Sequence, residues 1–361
     1  SYGSFASPAF SPVLLNIAMI AGAWWLTPFM AEPIMALGWA VVVAGVLQLA
    51  IQIPELWKKN LLIPPKVDFK HEGVDRILKL MLPALFGVSV TQINLLLNTI
   101  WASFMQDGSV SWLYSAERMT ELPLGLIGVA IGTVILPSLS ARHAEQDQAK
   151  FKSMIDWAAK IIMLVGIPAS IALFMLSTPI IQALFQRGEF TLEDTHMTAL
   201  ALQCMSAGVI SFMLIKVFAP GFYAQQDTKT PVRVGLMAVA ANAILNVVFI
   251  GFFKLIDWHA EHMALALASS GSALVNAGML YFYLHKRNIY RFGAHWKKLG
   301  FQFLVANITM IAALAYALTW YQGDIAQWLR IAEVVGLCVL GVAAYVIGLL
   351  ITGFRPRHLK H

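Results

Sequence analysis

The residues best placed to do chemistry lie in Ser111-Trp112-Leu113-Tyr114-Ser115-Ala116-Glu117-Arg118-Met119-Thr120-Glu121-Leu122-Pro123, where an arginine and two glutamates stand at the mouth of an apolar run, Leu122 to Leu139. Ionisable groups inside a membrane span are costly. They face water-filled cavities and mark substrate or ion paths. On a helix, Ser111, Ser115, Arg118 and Leu122 follow an i, i+4, i+7, i+11 stripe; Glu121 lies three residues beyond Arg118, and Glu117 and Glu121 form an i, i+4 pair. Hydroxyls, a guanidinium and a carboxylate then share one face. The planar donor fork of arginine suits phosphate or carboxylate. The blander reading is that Arg118 and Glu121 neutralise one another, or form a solvated first turn above the membrane. Pro123 lacks a backbone N–H, which predicts a kink at or just after the charged segment.

The elements that position these groups are membrane spans. The chain has 361 residues, 59% hydrophobic and 12% charged, with a mean hydropathy of +0.70. Soluble domains run nearer a quarter charged. Segments of the roughly 20 apolar residues that a span needs recur from end to end. The reading is an all-α polytopic membrane protein with ten predicted transmembrane helices: 10–29, 35–53, 82–104, 109–139, 154–176, 197–222, 234–253, 263–284, 299–321 and 331–353. A basic loop, 55–81, carries Pro64-Pro65, and Val74 to Leu80 could lie in the interface as an amphipathic helix. The segment Leu184 to Phe190 with Glu193-Asp194 reads as an outer loop. Ser1 is not Met and the chain enters a span almost at once, so an N-terminal part is expected to precede it.

The formal charge of +6 does not make a nucleic-acid face. Outer loops hold Arg187, Lys254 and Arg330; Arg118, Lys160 and Lys216 lie within spans; every other lysine and arginine falls in an inner loop or the tail. That bias puts both termini of this chain in the cytoplasm. Lys160 and Lys216 can snorkel inward along their stems. Arg118, nine residues below Ser109, sits roughly 13 Å down the helix, against ~15 Å for half the hydrocarbon core. A cation facing lipid there would cost at least ~2.5–3.5 kcal/mol, which predicts an aqueous surrounding.

Two further pairs share helix faces: Asn94 with Asn98, and Asn242 with Asn246. One reading is interhelical hydrogen bonding, typically ~1 kcal/mol each in membranes. The other is that their oxygens, with Ser270 or Ser272, hold a coupling Na⁺. The lack of a carboxylate in the group weighs against sodium. Cys204 and Cys338 fall in spans without metal-ligand spacing, so no metal site is expected. HExxH, GxSxG and GxxxxGK[ST] are absent, and Glu117 and Glu121 are taken as the intramembrane carboxylates an enzyme could use.

These stretches also carry a resemblance. Ser7-Pro8-Ala9-Phe10-Ser11-Pro12 with Leu15-Asn16, Gly108-Ser109-Val110-Ser111-Trp112 running into Ala116-Glu117-Arg118, and Leu136-Pro137-Ser138 form its first part. Leu184-Phe185-Gln186-Arg187-Gly188-Glu189-Phe190, Ala219-Pro220-Gly221-Phe222-Tyr223 and Asp227-Thr228-Lys229-Thr230-Pro231 complete it. The chain resembles the MurJ/MviN family of lipid II flippases, within the multidrug/oligosaccharidyl-lipid/polysaccharide exporter superfamily. The resemblance implies spans 5–14 of a fourteen-helix, two-lobe plan: 1–54 as the last two helices of the N-terminal lobe, 55–81 as a cytoplasmic linker, 82–285 as the C-terminal lobe, and 286–361 as two extra helices, forming a lipid-tail groove, with a basic tail. It implies a multi-pass protein of the bacterial inner membrane that flips lipid II to the periplasmic leaflet for cell-wall synthesis by alternating access. By the resemblance Arg118 would be a cavity arginine, with Ser111 and Glu121 as neighbouring cavity positions and Glu117 where some relatives have Asp; Ser115 and Glu117, in the same stretch, are read with them as substrate-binding. No cofactor is implied; a Na⁺ gradient or the membrane potential are the candidate energy sources, and cell-wall synthesis proteins are candidate partners beside lipid II and membrane lipids. The rival readings are a cation-coupled multidrug or other lipid-linked oligosaccharide exporter, a membrane enzyme acting on a lipid-linked sugar, and a scaffold for cell-wall enzymes.

Overall fold

The computed structural model describes residues 6–58, 92, 94–323 and 325–355. They fall into two compact units, Ser1–Leu80 and Met81–His361. All regular structure among the described residues is helical. Eight helical stretches are long and apolar enough to cross a membrane: Phe10–Phe29, Ser109–Ala144, Gln148–Met175, Leu192–Tyr223, Lys229–Leu255, Met263–Lys286, His295–Leu318 and Gln327–Ile351. Of the other two expected spans, the second appears as a shorter apolar helix, Met35–Ala50. The third lies mostly outside the described residues, with 94–103 helical. The interfacial helix expected over Val74 to Leu80 and the Pro64-Pro65 break also lie outside them.

In the first unit, α1 (Ala6–Ala21) continues through a π-helical turn, Gly22–Leu26, and a 3₁₀ turn, Thr27–Phe29; α2 (Met35–Ala50) and α3 (Ile53–Lys58) follow. Ala36, Ala40 and Ala44 recur every four residues and are buried. A Cβ on Gly22 would come within 2.6 Å of the Ala40 Cβ. Small residues thus let α1 and α2 approach closely, as membrane helices do when lipid supplies no hydrophobic drive. Trp24, Trp25, Trp39 and Val43 point away from that contact.

The second unit begins with α4 (94–103) and the turn to α5 (Ser109–Pro123). Beyond Pro123 the helix opens into a π-helical segment, Leu124–Val129, before α6 (Ala130–Ala144). This is the irregularity that a proline without an N–H predicts. The rest are α7 (Gln148–Met175), α8 (Ser177–Phe185), α9 (Leu192–Ser206), α10 (Val209–Tyr223), α11 (Lys229–Leu255), α12 (Met263–Lys286), α13 (His295–Leu318) and α14 (Gln327–Ile351). Two expectations change here. Glu193 and Asp194 occupy the first turn of α9, where Thr191 and Asp194 make a reciprocal capping box. Acidic residues suit the positive end of a helix dipole, so this acidic stretch starts a helix. The sixth span is broken at Ala207-Gly208, where a Cβ on Gly208 would meet the Ser270 Cα at 2.9 Å.

One core joins α6, α7, α10 and α12 through Ile135, Leu139, Ile155, Phe222 and Leu284. A second joins α5, α9 and α12 through Leu113, Ala116, Met119, Leu202 and Leu265. A third sets α13 and α14 against α7 and α8 through Leu176, Phe303, Met310 and Leu314. The Tyr345 hydroxyl donates to the Leu164 carbonyl at 2.7 Å, tying α14 to α7. Gly348 packs so closely on α13 that a Cβ would overlap Thr309 Oγ1 and lie 2.7 Å from the Ala306 Cα.

Charged knots tie the helix ends. Asp227 accepts from the Thr230 N–H at 3.0 Å and hydroxyl at 2.6 Å. Arg287 donates to Asp227 at 2.5 Å and to the Thr230 hydroxyl at 2.8 Å, closing the α10–α11 turn onto the end of α12. Burial alone would raise the Asp227 pKa, but the bonds from Thr230 and Arg287 outweigh it and hold it at about 2. Gly348→Leu is expected to part α13 from α14 and lower the melting temperature of the purified protein in detergent, whereas Gly336→Leu, where a Cβ meets open space, should not. Asp227→Asn should destabilise at neutral pH by on the order of 1–2 kcal/mol, discounted because Arg287 is partly solvated. A depressed carboxylate contributes above its unfolded value near 3.8 and loses that contribution as pH falls through about 2. The mutant's deficit, measured by melting across pH, should therefore shrink over that window.

Candidate functional site

The rotation of α5 decides what the charged segment faces. Gly108 has φ +96°, and a Cβ there would lie 2.6 Å from the Trp112 ring. The Gln106-Asp107-Gly108 turn thus seats Trp112 inside the unit, 3% exposed. The Trp112 indole N–H donates to Asp194 at 2.7 Å, and its ring lies 5.0 Å from that of His262. His262 in turn contacts the Met197 carbonyl at 2.8 Å, and burial lowers its pKa despite that bond. With Trp112, Leu113, Ala116 and Met119 inward, Ser111, Tyr114, Arg118 and Glu121 are exposed, and Ser115 and Glu117 lie half-buried at the flank. The stripe read from the sequence is therefore the open face of α5.

Arg118 donates to Glu121 at 2.8 Å, with the two side chains 53% and 49% exposed. Its guanidinium lies 4.8 Å from the centre of the Tyr114 ring, a cation–π contact. The neutralising pair anticipated from the spacing is thus formed, and it stands open. An exposed pair of this kind is worth ~0–1 kcal/mol, and a guanidinium carries five donors. An arriving phosphate can therefore bind Arg118 without first breaking a strong bond. Glu117 makes no ion pair with Arg118 among the described residues.

Lys160 pairs with Asp156 at 2.7 Å. Lys216 is exposed, its stem passing Gly128 and Gly132 on the same long helix that carries Arg118. Sequence reasoning named Glu117 and Glu121 as the intramembrane carboxylates and passed over Asp156 and Glu333. Asp156 accepts from Tyr290 at 2.8 Å and Trp296 at 2.7 Å, and meets His295 at 3.0 Å. It binds the start of α13 to α7, and it showed no signal in sequence beyond its own charge in an apolar run.

The asparagines form a chain across three helices. Asn246 donates to Asn98 and to Asn242, both at 3.1 Å, and Asn98 donates to Ser269 at 3.1 Å. Asn94 joins none of these bonds, although its Oδ1 is buried. Ser270 and Ser272, the hydroxyls considered as sodium ligands, donate to the Cys204 and Ala238 carbonyls at 2.8 and 2.7 Å. The amides link α4, α11 and α12 side chain to side chain, as the interhelical reading requires. No cluster of metal-binding side chains occurs among the described residues.

Comparison with known proteins gives a consistent result. A family model described as lipid II flippase MurJ matches residues 1–352. A protein of Vibrio cholerae serotype O1 named "Probable lipid II flippase MurJ" is 43% identical over 99% of this chain and 67% of its own length. One of the same name from Haemophilus influenzae is 44% identical over 99% of this chain and 70% of its own length. The solved structure "Lipid II flippase MurJ, inward closed conformation" is 24% identical and shares the fold with a TM-score of 0.75, over 95% of this chain and 67% of that one.

If the asparagine chain is interhelical glue, Asn246→Ala should cost ~1 kcal/mol in melting experiments. Replacing Na⁺ by choline should leave the wild-type melting temperature unchanged; a sodium-dependent rise that Asn246→Ala abolishes would identify a cation site instead.

Proposed function

The chain belongs to the MurJ family of lipid II flippases, and from that premise we propose that the open face of α5 receives the pyrophosphate of lipid II while the polyprenyl tail stays in the hydrocarbon. The protein is a multi-pass membrane transporter and not an enzyme, and lipid II is its substrate. Moving that head group through lipid unaided is prohibitive, because its charges and amides would lose their water. Arg118 replaces part of that hydration by charge-assisted hydrogen bonds. Tyr114, Ser111 and Ser115 offer hydroxyls beside it. Glu121 holds the guanidinium until the substrate arrives, and Lys216 of α10 adds positive charge beside Gly128 and Gly132, further along the helix that carries Arg118.

In this reading the bilayer is the bacterial inner membrane and both termini of the chain face the cytoplasm, as the distribution of lysine and arginine favours. Residues 1–54 and 82–285 belong to two lobes joined by 55–81, and they rock about the site to expose it inward and then outward. The helices of 286–361 guide the tail. A Na⁺ gradient or the membrane potential drives the cycle, and cell-wall synthesis proteins take up the product.

The observation that carries the proposal is a half-exposed arginine, held by a weak ion pair and the Tyr114 ring, roughly 13 Å inside a membrane-spanning helix. In a full-length protein that inserts to wild-type level, Arg118→Ala should abolish lipid II translocation. Arg118→Lys should retain part of it, since a lysine keeps the charge but loses the fork. A vesicle assay with labelled lipid II, read by access of an external enzyme to the head group, makes the test. Wild-type rates in Arg118→Ala would remove this residue from the mechanism.

A further inference from the structure

At the end of the bundle that holds the α13–α14 turn, a cleft of about 210 Å³ opens between those helices, lined by Trp320, Tyr321, Gly336, Leu337 and Glu333. Its walls are apolar and aromatic apart from one carboxylate. Glu333 Oε2 is buried without a hydrogen-bond partner, and so is Arg330 Nε. Arg330 is three residues from Glu333 and so shares its face of α14, yet no ion pair joins them among the described residues. The guanidinium instead donates to the Gln186 side-chain amide oxygen at 3.3 Å. The surroundings are fixed: the Gln182 side-chain amide donates to the Gly323 carbonyl at 2.9 Å, and the Tyr321 hydroxyl donates to Gln182 at 3.1 Å.

A carboxylate and a guanidinium, both half-buried and each with one buried atom unused, call for a ligand carrying both signs. We propose that this cleft binds the head group of a phospholipid with a primary ammonium, the ammonium on Glu333 in its wall and the phosphate on Arg330, which stands outside the lining one turn nearer the start of α14. The depth fits: Glu333 is six residues from the start of α14 at Gln327, roughly 9 Å along the helix, within the zone where head groups meet chains. The faces of Trp320 and Tyr321 favour a cation, and such aromatics gather at this level of a bilayer. Leu337 and the exposed Leu340, four and seven residues beyond Glu333 on the same face of α14, leave an apolar track for the acyl chains. A primary ammonium brings three donors to the carboxylate; a quaternary ammonium brings none, which gives the site its selectivity.

The test is native mass spectrometry of the delipidated full-length protein, titrated with phosphatidylethanolamine, phosphatidylcholine or phosphatidylglycerol of identical acyl chains. The wild type should retain phosphatidylethanolamine about tenfold more tightly than either of the others, the difference a charge-assisted hydrogen bond provides. Glu333→Gln should abolish that preference and leave phosphatidylglycerol binding unchanged, while Arg330→Ala should weaken all three. Glu333→Asp, which keeps the charge, should keep the preference, and its melting temperature with that of Glu333→Gln shows that the fold persists. Equal binding of the three lipids by the wild type, a preference for phosphatidylglycerol, or an intact preference in Glu333→Gln would overturn the proposal.

Discussion

Hydrocarbon offers no partner to a polar group, and the placement of charge in this chain follows from that constraint. The helices turn valine, leucine and isoleucine outward, as on α14, where Val335, Val339, Val342 and Val346 are exposed. Charged side chains gather at helix ends, in knots such as Asp227 with Arg287 and Asp156 with Lys160. Within the spans, Asn98, Asn246, Ser270 and Ser272 spend donors on oxygens of neighbouring helices. Arg118 departs from the pattern. It is half exposed in the middle of a helix, held by an exposed ion pair with Glu121 and by the Tyr114 ring. A cation so placed is tolerable where water reaches it, and a route for water across a membrane protein is a route for polar cargo.

The same constraint explains how the site is held. The guanidinium faces out of the second unit and not into its core, so α5 cannot be free to rotate. Gly108 admits the Trp112 ring, Asp194 takes its N–H, and Leu113, Ala116 and Met119 fill the core against α9. Three contacts remote from the arginine thus fix where it points. At the other end, Asp156 draws Tyr290, His295 and Trp296 onto α7, so the start of α13 is tied to that helix.

Much of this was legible in the sequence because it depends on local spacing. Twenty apolar residues make a span whatever their order, and the pairs Arg118–Glu121 and Asn242–Asn246 are set by helix pitch. Pro123 marked its irregular turn. What escaped depends on residues far apart in the chain. Nothing local links Trp112 to Asp194, Asn98 to Asn246, or Asp156 to Trp296, and their meeting follows from how helices pack. Gly208, without a proline beside it, gave no sign that the sixth span would break there. The acidic pair Glu193-Asp194 misled because charge suggests a loop, while Thr191 three residues before Asp194 was the capping signal that should have outweighed it. Glu333 was hidden by its apolar neighbours, since an averaged hydropathy passes over a single carboxylate.

The central claim is that position 118 is wet at mid-membrane. In a full-length protein with Cys204 and Cys338 replaced by alanine, a cysteine placed at Arg118 would be challenged with a charged, membrane-impermeant thiol reagent, beside a control cysteine at Val339 on the lipid-facing side of α14. The account predicts rapid modification at 118 and almost none at 339. Protection of position 118 equal to that of position 339 would place it against acyl chains and contradict the account.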